Sequence, residues 1–316
     1  MQYRTLGRTG LRVSALALGT VELGIDYGIR VPGHYGRPPE EEAVALIHAA
    51  LENSVNFIDT ARTYGAAEDV IGKALRGRRD QAIIATKVAT QGADRQTLTG
   101  DALRRHMFEV LETSLRTLQT DYVDIWQLHN LDQDLIGQLD VVADVFERAR
   151  NSGKARWVGA STYGVEAPAA AVRCDLFDVI QATYSVLDQR LADGVFAQAQ
   201  EAQIGIVARS ILLQGVLTER GDYLPDRLEP LRTRSQRFRQ LAAESGLGLS
   251  AAQLAVAFAL AQPHINAALV GVRTVDELHE NLVAVDTQIP ADVLEALHTL
   301  RLDDPDLLNP ATWQLT

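Results

Sequence analysis

Four side chains that can donate, accept or hold protons follow short apolar runs of this sequence. Asp59 ends the run "NFID", Tyr64 comes five residues later, Lys87 ends "IIATK" and His129 ends "YVDIWQLH". Each has an ordinary explanation: an aspartate often caps the next helix, a strand-end lysine is usually a solvated charge, and a histidine is often a capped core residue. Together in one pocket, however, an acid, a phenol, an ammonium and an imidazole form a set suited to general acid–base chemistry.

Eight apolar runs, which we interpret as β-strands, must position these side chains. They are rich in Val, Ile and Ala, as is typical of parallel strands that are buried on both faces. Amphipathic helical patterns separate most of them, and eight strands alternating with helices predict a single (β/α)8 TIM barrel, of the α/β class, over residues 1–316. The predicted strands are residues 14–20, 56–61, 82–88, 122–129, 155–162, 179–185, 205–211 and 267–272.

In a barrel of this kind the active site lies at the carboxyl ends of the strands. Asp59, Lys87 and His129 end the second, third and fourth predicted strands, so we expect them to converge on one rim. Further polar side chains near strand ends belong to the same rim: Ser161, Thr162, Gln181, Tyr184, Arg209 and Ser210.

A doubly wound open sheet is the alternative fold for this pattern. It is disfavoured because no glycine-rich dinucleotide-binding fingerprint follows the first strand. One G-x-G-x-x-A string, from Gly246 to Ala251, lies between two helical patterns. We interpret it as the end of one helix followed by Ser250 as the N-cap of the next.

Composition limits the class of protein. The 316 residues carry a net charge of −11 and one cysteine, so neither a general nucleic-acid binder nor a disulfide-dependent protein is expected. The N-terminus has charged residues at positions 4, 8 and 12 and is not typical of a signal peptide. With no apolar run of about 18 residues, no membrane span is expected either. We therefore predict a cytoplasmic protein.

Several segments resemble the aldo-keto reductase family over nearly the whole chain. "NFIDTARTYGAAE" is similar to the family signature around its catalytic Asp and Tyr, "IIATK" to its Lys strand and "DYVDIWQLH" to its His strand. "GKARWVGAS", "QATYSVLD" and "LVGVRTVDELHENL" are further matches. The resemblance implies hydride transfer between a nicotinamide cofactor and a small-molecule carbonyl or alcohol, with Asp59, Tyr64, Lys87 and His129 as the catalytic residues.

These implied roles agree with simple proton chemistry. Tyr64 would protonate the developing alkoxide, and Lys87 would lower the pKa of the phenol by stabilising its anion. Asp59 would keep Lys87 charged and oriented. His129, in its neutral form, would donate a hydrogen bond to the carbonyl oxygen.

The resemblance also implies a site for the nicotinamide and the pyrophosphate. Ser161 and Gln181 would hold the carboxamide, but Thr162 stands where the family usually has Asn. Arg209 stands where an aromatic residue often stacks on the nicotinamide, and its guanidinium could stack there or contact a phosphate. "SILLQG" resembles the pyrophosphate loop. The cofactor site implied in this part of the chain also includes Gly19, Thr20, Tyr184, Ser210, Leu212, Gln214 and Gly215.

"GVRTVDELHENL" resembles the adenosine site. Gly271 would allow close approach, Arg273 would supply a charge, and Glu280 and Asn281 would bind the adenine edge. Glu277 stands where many NADPH-dependent members carry Arg or Gln, and a carboxylate there would repel a 2′-phosphate. The family preference favours NADP(H), with NAD(H) as the alternative.

The substrate pocket is less defined by sequence. The loops "ELGIDYGIRVPGHYGRPP" and "HNLDQDLIG" and the tail "DDPDLLNPATWQLT" are expected to wall it, with Tyr27, Tyr35, Trp126 and Trp313 as candidate lining residues. Such aromatics beside Asp and Asn suit a sugar-like or small polar carbonyl, although the same residues could simply pack in the core.

Two other functions remain possible on this fold. Some relatives in the resembled family are accessory subunits of channels that bind a nicotinamide without needing fast turnover. A metal-dependent barrel hydrolase is disfavoured, because the sequence has no H-x-H pair after the first strand and no set of ligands with metal-binding spacing. We therefore expect no metal site.

Overall fold

Eight parallel strands close into a barrel in the structure, a computed structural model that describes residues 1–31, 35–92, 95–313 and 315. The strands pair in chain order, and the last pairs with the first, so the predicted (β/α)8 barrel is confirmed. Each predicted strand is present; three are shorter than predicted at both ends and five at one end. The barrel strands are β3 (Leu16–Gly19), β4 (Phe57–Asp59), β5 (Ile83–Val88), β6 (Val123–Leu128), β7 (Ala155–Ser161), β8 (Val179–Thr183), β9 (Gly205–Arg209) and β10 (Ala267–Gly271).

Along each strand every second side chain faces the inside of the barrel. These inward side chains form an apolar layer and a polar layer. Toward the amino ends of the strands, small and medium apolar side chains fill the interior as one buried cluster. Two residues further along β4, β5, β6 and β8, the inward positions are polar, and these carry the candidate site. The apolar layer contains Ala17, Phe57, Ala85, Ile125, Val179, Val207 and Ala267, and the polar layer contains Asp59, Lys87, Gln127 and Gln181.

Helices cover the outside of the barrel. The predicted amphipathic helices are present, and α2 begins with three glutamates, which favour a helix N-terminus. The sequence interpretation missed five short helices, α1, α5, α7, α8 and α12. The helices are α1 (Val21–Gly24), α2 (Glu40–Glu52), α3 (Ala67–Ala74), α4 (Gly100–Leu118), α5 (Gln133–Ile136), α6 (Leu139–Asn151), α7 (Glu166–Arg173), α8 (Val195–Glu201), α9 (Glu229–Glu244), α10 (Ala251–Ala261), α11 (Val275–Leu282) and α12 (Ala291–His298).

An antiparallel hairpin that the sequence analysis did not predict covers the amino ends of the barrel strands. It consists of β1 (Tyr3–Thr5) and β2 (Arg12–Ser14). Leu6 and Val13 are fully buried and join the apolar cluster inside the barrel. The hairpin therefore plugs this end, and the polar layer lies at the opposite end.

The segment from Gly246 to Ala251 confirms the interpretation as a helix end followed by a helix start. Gly246 follows α9 in the left-handed region, at φ +71°. Ser250 caps α10, and it forms a reciprocal capping box with Gln253. The capping box fixes where α10 begins, and its first residues face the cavity described below.

Parts of the predicted pocket walls are not described. Residues 32–34 of the loop after β3 and residues 314 and 316 of the tail lie outside the described residues.

Candidate active site

An ion pair between Asp59 and Lys87 occupies the centre of the polar layer. Lys87 Nζ lies 2.5 Å from Asp59 Oδ2 and donates a second hydrogen bond of 2.9 Å to the carbonyl oxygen of Thr60. The side chain of Lys87 is 0% exposed and that of Asp59 is 3% exposed, so water screens the pair very little. Burial lowers the pKa of Lys87, and the neighbouring Asp59 opposes this shift. The geometry agrees with the expected role of Asp59 as the anchor of Lys87.

Two glutamine amides hold the other oxygen of Asp59. Gln181 Nε2 donates to Asp59 Oδ1 over 2.6 Å, and Gln127 Nε2 donates to the same oxygen over 3.3 Å. Asp59 therefore accepts hydrogen bonds from side chains of β5, β6 and β8. The sequence analysis missed Gln127, although its position two residues before His129 puts it on the inward face of β6.

The loop that carries Tyr64 is fixed by a buried acid and by a close backbone approach. Glu68 is fully buried, pairs with Arg62 at 2.5 Å and accepts a 2.7 Å hydrogen bond from Thr86. A Cβ atom on Gly24 would lie 1.7 Å from the carbonyl oxygen of Tyr64. A larger residue than glycine at position 24 would therefore displace this loop.

Tyr64 lies against both Lys87 and His129. Lys87 Nζ is 5.0 Å from the centroid of the phenol ring, and the rings of Tyr64 and His129 meet edge to face at 5.6 Å. Burial raises the pKa of Tyr64, the negative charge of Asp59 raises it further, and Arg209 opposes them. The sequence analysis expected a lowered pKa from Lys87 alone. In the structure the net shift is upward, so the phenol remains a proton donor at neutral pH.

His129 is neutral, as the sequence analysis expected. Burial, together with the charges of Lys87 and Arg209, lowers the pKa of His129 to about 3. Its Nδ1 lies 3.1 Å from Thr63 Oγ1. If the Thr63 hydroxyl donates to Nδ1, the proton of the neutral ring resides on Nε2, where it can be donated to a ligand oxygen.

A cavity of about 330 Å³ extends from Asp59 and Tyr64 to the first turn of α11. It is lined by many of the residues that the sequence analysis assigned to a cofactor, and also by Tyr27, which was assigned to the substrate. The cofactor candidates in its wall are Gly19, Thr20, Gln181, Arg209, Ser210, Leu212, Gln214, Gly215, Gly271, Arg273, Glu277, Glu280 and Asn281.

The loop after β9 has an unusual backbone where it borders the cavity. Ser210, Leu213 and Gln214 have φ values of 57°, 47° and 56°, in the left-handed region that non-glycine residues seldom adopt. The loop after β3 crosses it: Gln214 Nε2 donates to the Tyr27 hydroxyl over 3.2 Å, and the backbone N–H of Ile29 donates to the Gln214 carbonyl over 3.2 Å. The two loops therefore hold each other in place.

Two charged residues in the cavity wall were missed by the sequence analysis. Glu22 lies beside Gly271, and its Oε2 has no hydrogen-bond partner among the described residues. Burial raises the pKa of Glu22 to about 7, while Arg273 opposes the shift. Arg220 lies 3.5 Å from Glu277, whose other oxygen accepts a 2.7 Å hydrogen bond from the backbone of Arg273. No sequence pattern placed these loop residues together.

Three predicted site residues, Trp126 and Trp313 for the substrate and Tyr184 for the cofactor, are buried and do not line the main cavity, so the structure does not support those assignments. Trp126 and Tyr184 point away from the barrel interior because they alternate with inward-facing neighbours. Trp126 packs edge to face on Phe146 at 5.2 Å, and Tyr184 stacks on Phe258 at 5.6 Å. Trp313 is 1% exposed and donates its indole N–H to the carbonyl of Leu307.

Three other predicted residues differ in part from expectation. Tyr35, a candidate for the substrate pocket, lies with Arg220 and Glu277 in a second, smaller cavity that Tyr64 does not line. Thr162 is fully buried and its hydroxyl donates to the carbonyl of Gln181 over 3.2 Å, so it is already used inside the barrel. Ser161 is also buried, but its Oγ has no partner among the described residues.

Some of the buried polar atoms without a hydrogen-bond partner belong to the main cavity or to residues assigned to the site. Such atoms are rare in folded proteins, and each one calls for an explanation such as an absent ligand. Their mixture of donors and acceptors fits a polar molecule with amide and hydroxyl groups, which a nicotinamide dinucleotide is. Within the described residues they include Glu22 Oε2, Gln127 Oε1, Ser161 Oγ, Arg209 Nε and Asn281 Oδ1.

The described part of the chain shows neither a metal-binding cluster nor a membrane-spanning helix. No group of three or more His, Cys, Asp or Glu side chains is arranged to hold a metal ion. None of the described helices has the length and apolar character needed to cross a lipid bilayer.

Comparison with known proteins agrees with this geometry. Residues 15–301 match the profile of the Aldo/keto reductase family. The chain belongs to this family. Aldo-keto reductases are oxidoreductases that use nicotinamide cofactors, and NAD(P)H-dependent carbonyl reduction is their general activity.

Individual aldo-keto reductases and related proteins align with nearly the whole chain. The chain is 32% identical to "Uncharacterized oxidoreductase YrpG" of Bacillus subtilis over 95% of its length and 96% of that protein. It is 30% identical to "Probable voltage-gated potassium channel subunit beta" of Oryza sativa, covering 90% of this chain and 92% of that one. Among solved structures, the holo form of aldo-keto reductase AKR11C1 from Bacillus halodurans superposes with a TM-score of 0.77 at 27% identity, covering 95% and 96% of the two chains.

The lowered pKa of His129 makes the stability of the protein depend on pH. Between pH 6.5 and about 3 the unfolded chain binds a proton at this residue that the folded chain does not. The free energy of unfolding should therefore fall as the pH falls through this window. We expect the loss of the free energy of unfolding between pH 7 and pH 4 to be smaller in His129→Gln than in the wild type by roughly 1–3 kcal/mol. The measurement is urea denaturation at the two pH values.

The control for this measurement is His279→Gln, because His279 is exposed. It should retain the pH dependence of the wild-type protein. Equal slopes for the wild type and His129→Gln would contradict the assignment of a half-buried, neutral His129.

Proposed function

We propose that this aldo-keto reductase interconverts a small-molecule carbonyl and an alcohol, with Tyr64 as the general acid and base. The observation that carries the proposal is that Tyr64 and Asp59 line one end of a single cavity, with His129 against the Tyr64 ring and Lys87 paired with Asp59. A phenol and a neutral imidazole in contact can both address one substrate oxygen. A helix-capping Asp and a surface Tyr would not produce this arrangement.

In this mechanism each side chain has one task. Tyr64 donates its proton to the carbonyl oxygen in reduction and accepts a proton in the reverse direction. His129 donates a hydrogen bond from Nε2 to the same oxygen and so fixes the angle at which the carbonyl lies. Lys87 places a positive charge beside the phenol when it becomes an anion, and Asp59 keeps that charge in position. The nicotinamide supplies or accepts the hydride.

The cofactor would lie along the cavity from Gln181 to Asn281. Gln181 commits its Nε2 to Asp59, which leaves its amide oxygen for the carboxamide together with the unpartnered Ser161 Oγ. The left-handed loop that contains Gln214 would face the pyrophosphate. Asn281 has an unpartnered Oδ1 for the adenine edge. The structural similarity to AKR11C1 in its holo form supports the proposal that this cavity holds a cofactor.

We propose NADP(H) as the preferred cofactor, with NAD(H) as the alternative. Arg220 and Arg273 both line the end of the cavity at α11, and a 2′-phosphate there would meet two guanidinium groups. Glu277 and Glu22 at the same end oppose this preference. Since Glu277 pairs with Arg220 at 3.5 Å, its charge is partly offset.

The same proposal includes a cytoplasmic location and a single domain over residues 1–316. The cavity has a volume of about 330 Å³, which suits a small-molecule substrate beside the cofactor.

Tyr64→Phe should lower kcat for reduction of 4-nitrobenzaldehyde by about 10²–10⁴-fold, because it removes the proton donor and keeps the ring. The affinity for NADPH should change little. The measurement is steady-state turnover followed by NADPH absorbance, with cofactor dissociation constants from protein fluorescence.

Tyr184→Phe is the matched control, because Tyr184 is a buried tyrosine that packs outside the barrel interior. It should keep most of the wild-type turnover. If Tyr64→Phe retains more than about a tenth of the wild-type kcat, Tyr64 does not have the proposed role.

Glu277→Gln should tighten binding of NADPH relative to NADH by roughly fivefold, because it removes a negative charge and releases Arg220. Arg273→Ala should loosen it by a similar factor. The readout is the ratio of the two dissociation constants at fixed low salt, since salt screens charges at a wet rim.

Asp276→Asn controls for the general effect of an acid in the first turn of α11, because Asp276 is exposed and does not line the cavity. It should alter the ratio less than Glu277→Gln. A ratio that neither Glu277→Gln nor Arg273→Ala changes would place the adenosine outside this segment.

The second candidate function is that of a nicotinamide-binding accessory or sensor protein with little turnover. It is favoured by the similarity to a protein named as a potassium channel β subunit. Turnover of 4-nitrobenzaldehyde separates the two functions: NADPH binding without Tyr64-dependent turnover would support the accessory function.

A further inference from the structure

Arg209 is a cation in the cavity wall for which the proposed mechanism gives no partner. It ends β9, and among the described residues no carboxylate forms an ion pair with it. Its Nη1 donates to the Tyr163 hydroxyl over 3.0 Å and its Nη2 donates to the carbonyl of Thr162 over 3.2 Å. Its Nε has no hydrogen-bond partner within the same part of the chain.

The guanidinium is held in one orientation. Its carbon lies 3.7 Å from the centroid of the Tyr163 ring, so one face of the planar group rests on an aromatic surface. The two hydrogen bonds to Tyr163 and Thr162 use two of the five N–H donors that an arginine has. The remaining donors stay in a fixed plane, as recognition of a planar or tetrahedral anion requires.

Arg209 lies at the catalytic end of the cavity. It lines the same wall as Tyr64 and Asp59, and its charge lowers the pKa of both Lys87 and His129. It is not among the charges that affect Glu22, which responds instead to Arg273 and Glu277. The group is therefore beside the place where a carbonyl would react.

The charges at this end do not balance. Asp59 is already paired with Lys87 and also accepts hydrogen bonds from two glutamines, so it has little capacity left for a second cation. His129 and Tyr64 carry no charge at neutral pH. A half-buried guanidinium that remains without an anion is costly, and a ligand anion removes that cost.

We propose that Arg209, held by Tyr163, recognises an anionic group, a carboxylate or a phosphate, on the carbonyl substrate. The inference rests on the proposed function and makes it narrower: the substrate is a small aldehyde or ketone that carries an anion, and the product is the corresponding hydroxy acid or phosphorylated alcohol. The anion is bound at Arg209, while the carbonyl oxygen lies between Tyr64 and His129.

A contact to the cofactor is the competing explanation for Arg209. The residues assigned to its phosphates lie along the loop to Gln214 and at Arg273. A guanidinium beside an oxidised, positively charged nicotinamide would also be repelled, whereas a substrate anion is attracted. The affinity for NADPH therefore serves as one readout of the test.

The test compares two matched pairs of aldehydes at low salt. One pair is 4-carboxybenzaldehyde and benzaldehyde, and the other is glyceraldehyde 3-phosphate and glyceraldehyde. For each pair the ratio of kcat/KM, anionic over neutral, is measured for the wild type, Arg209→Gln and Arg209→Lys. The pair that shows the larger ratio identifies the anion as a carboxylate or a phosphate.

The wild type should favour the anionic member of at least one pair by tenfold or more, and Arg209→Gln should lower that ratio by about 10- to 100-fold. Arg209→Lys keeps the charge but loses the stack and the fork of donors, so it should lie between them. Arg237→Gln, on an exposed arginine of α9, should leave the ratio unchanged. Added salt should lower the wild-type ratio.

A binding experiment that needs no turnover completes the design. Benzoate and glycerol 3-phosphate are titrated calorimetrically into the protein saturated with NADP⁺, and Arg209→Gln should bind the preferred anion at least tenfold more weakly. The thermal midpoint of each variant is recorded so that an unfolded protein is recognised, and Arg209→Lys supplies the answer if Arg209→Gln does not fold.

Three results would overturn the inference. They are a wild-type ratio near one for both pairs, a loss of affinity for NADPH in Arg209→Gln with no change in the ratio, and anion binding that does not depend on Arg209. Failure of the proposed function is a different result, in which the wild type reduces no aldehyde of either kind. In that case the calorimetric titration still decides whether Arg209 forms an anion site.

Discussion

The buried pair of Asp59 and Lys87 is the interaction on which the rest of the site depends. Removing two charges from water costs several kcal/mol each, and only a close contact with further hydrogen bonds offsets it. The structure provides a 2.5 Å contact, the carbonyl of Thr60 for the ammonium, and the amides of Gln127 and Gln181 for the carboxylate. Four barrel strands, β4, β5, β6 and β8, thereby set the position of one charged centre.

The charge state of the cavity follows from this centre. Burial lowers the pKa of His129 and the positive charge of Lys87, held in place by Asp59, lowers it further, while burial and Asp59 raise the pKa of Tyr64. Both groups are then donors toward the same substrate oxygen. Arg209 adds a charge that the protein does not balance itself, which is why the substrate, and not the fold, is expected to supply the anion.

The barrel and the strand-end residues could be predicted because they follow from patterns along the chain. Parallel strands bring their carboxyl ends to one rim, so Asp59, Lys87 and His129 had to converge. The same alternation could have excluded Trp126, which is one residue from the inward-facing Gln127. Glu22 could not be found, because a loop residue's direction depends on how the loop after β3 crosses Gln214, and no periodicity reports that contact. The upward pKa shift of Tyr64 likewise depends on burial, which spacing alone does not reveal.

A double-mutant cycle on the stability of the protein tests the central pair most directly. Asp59→Asn, Lys87→Met and the double variant are unfolded in urea at pH 7, with fluorescence and far-ultraviolet circular dichroism required to give coincident transitions. Each single change should lower the free energy of unfolding by about 3–5 kcal/mol, since it leaves one buried charge without its partner. The double variant should lose less than the sum of the two by at least about 2 kcal/mol. Single effects that add to within about 0.5 kcal/mol would contradict the claim that the two charges stabilise each other.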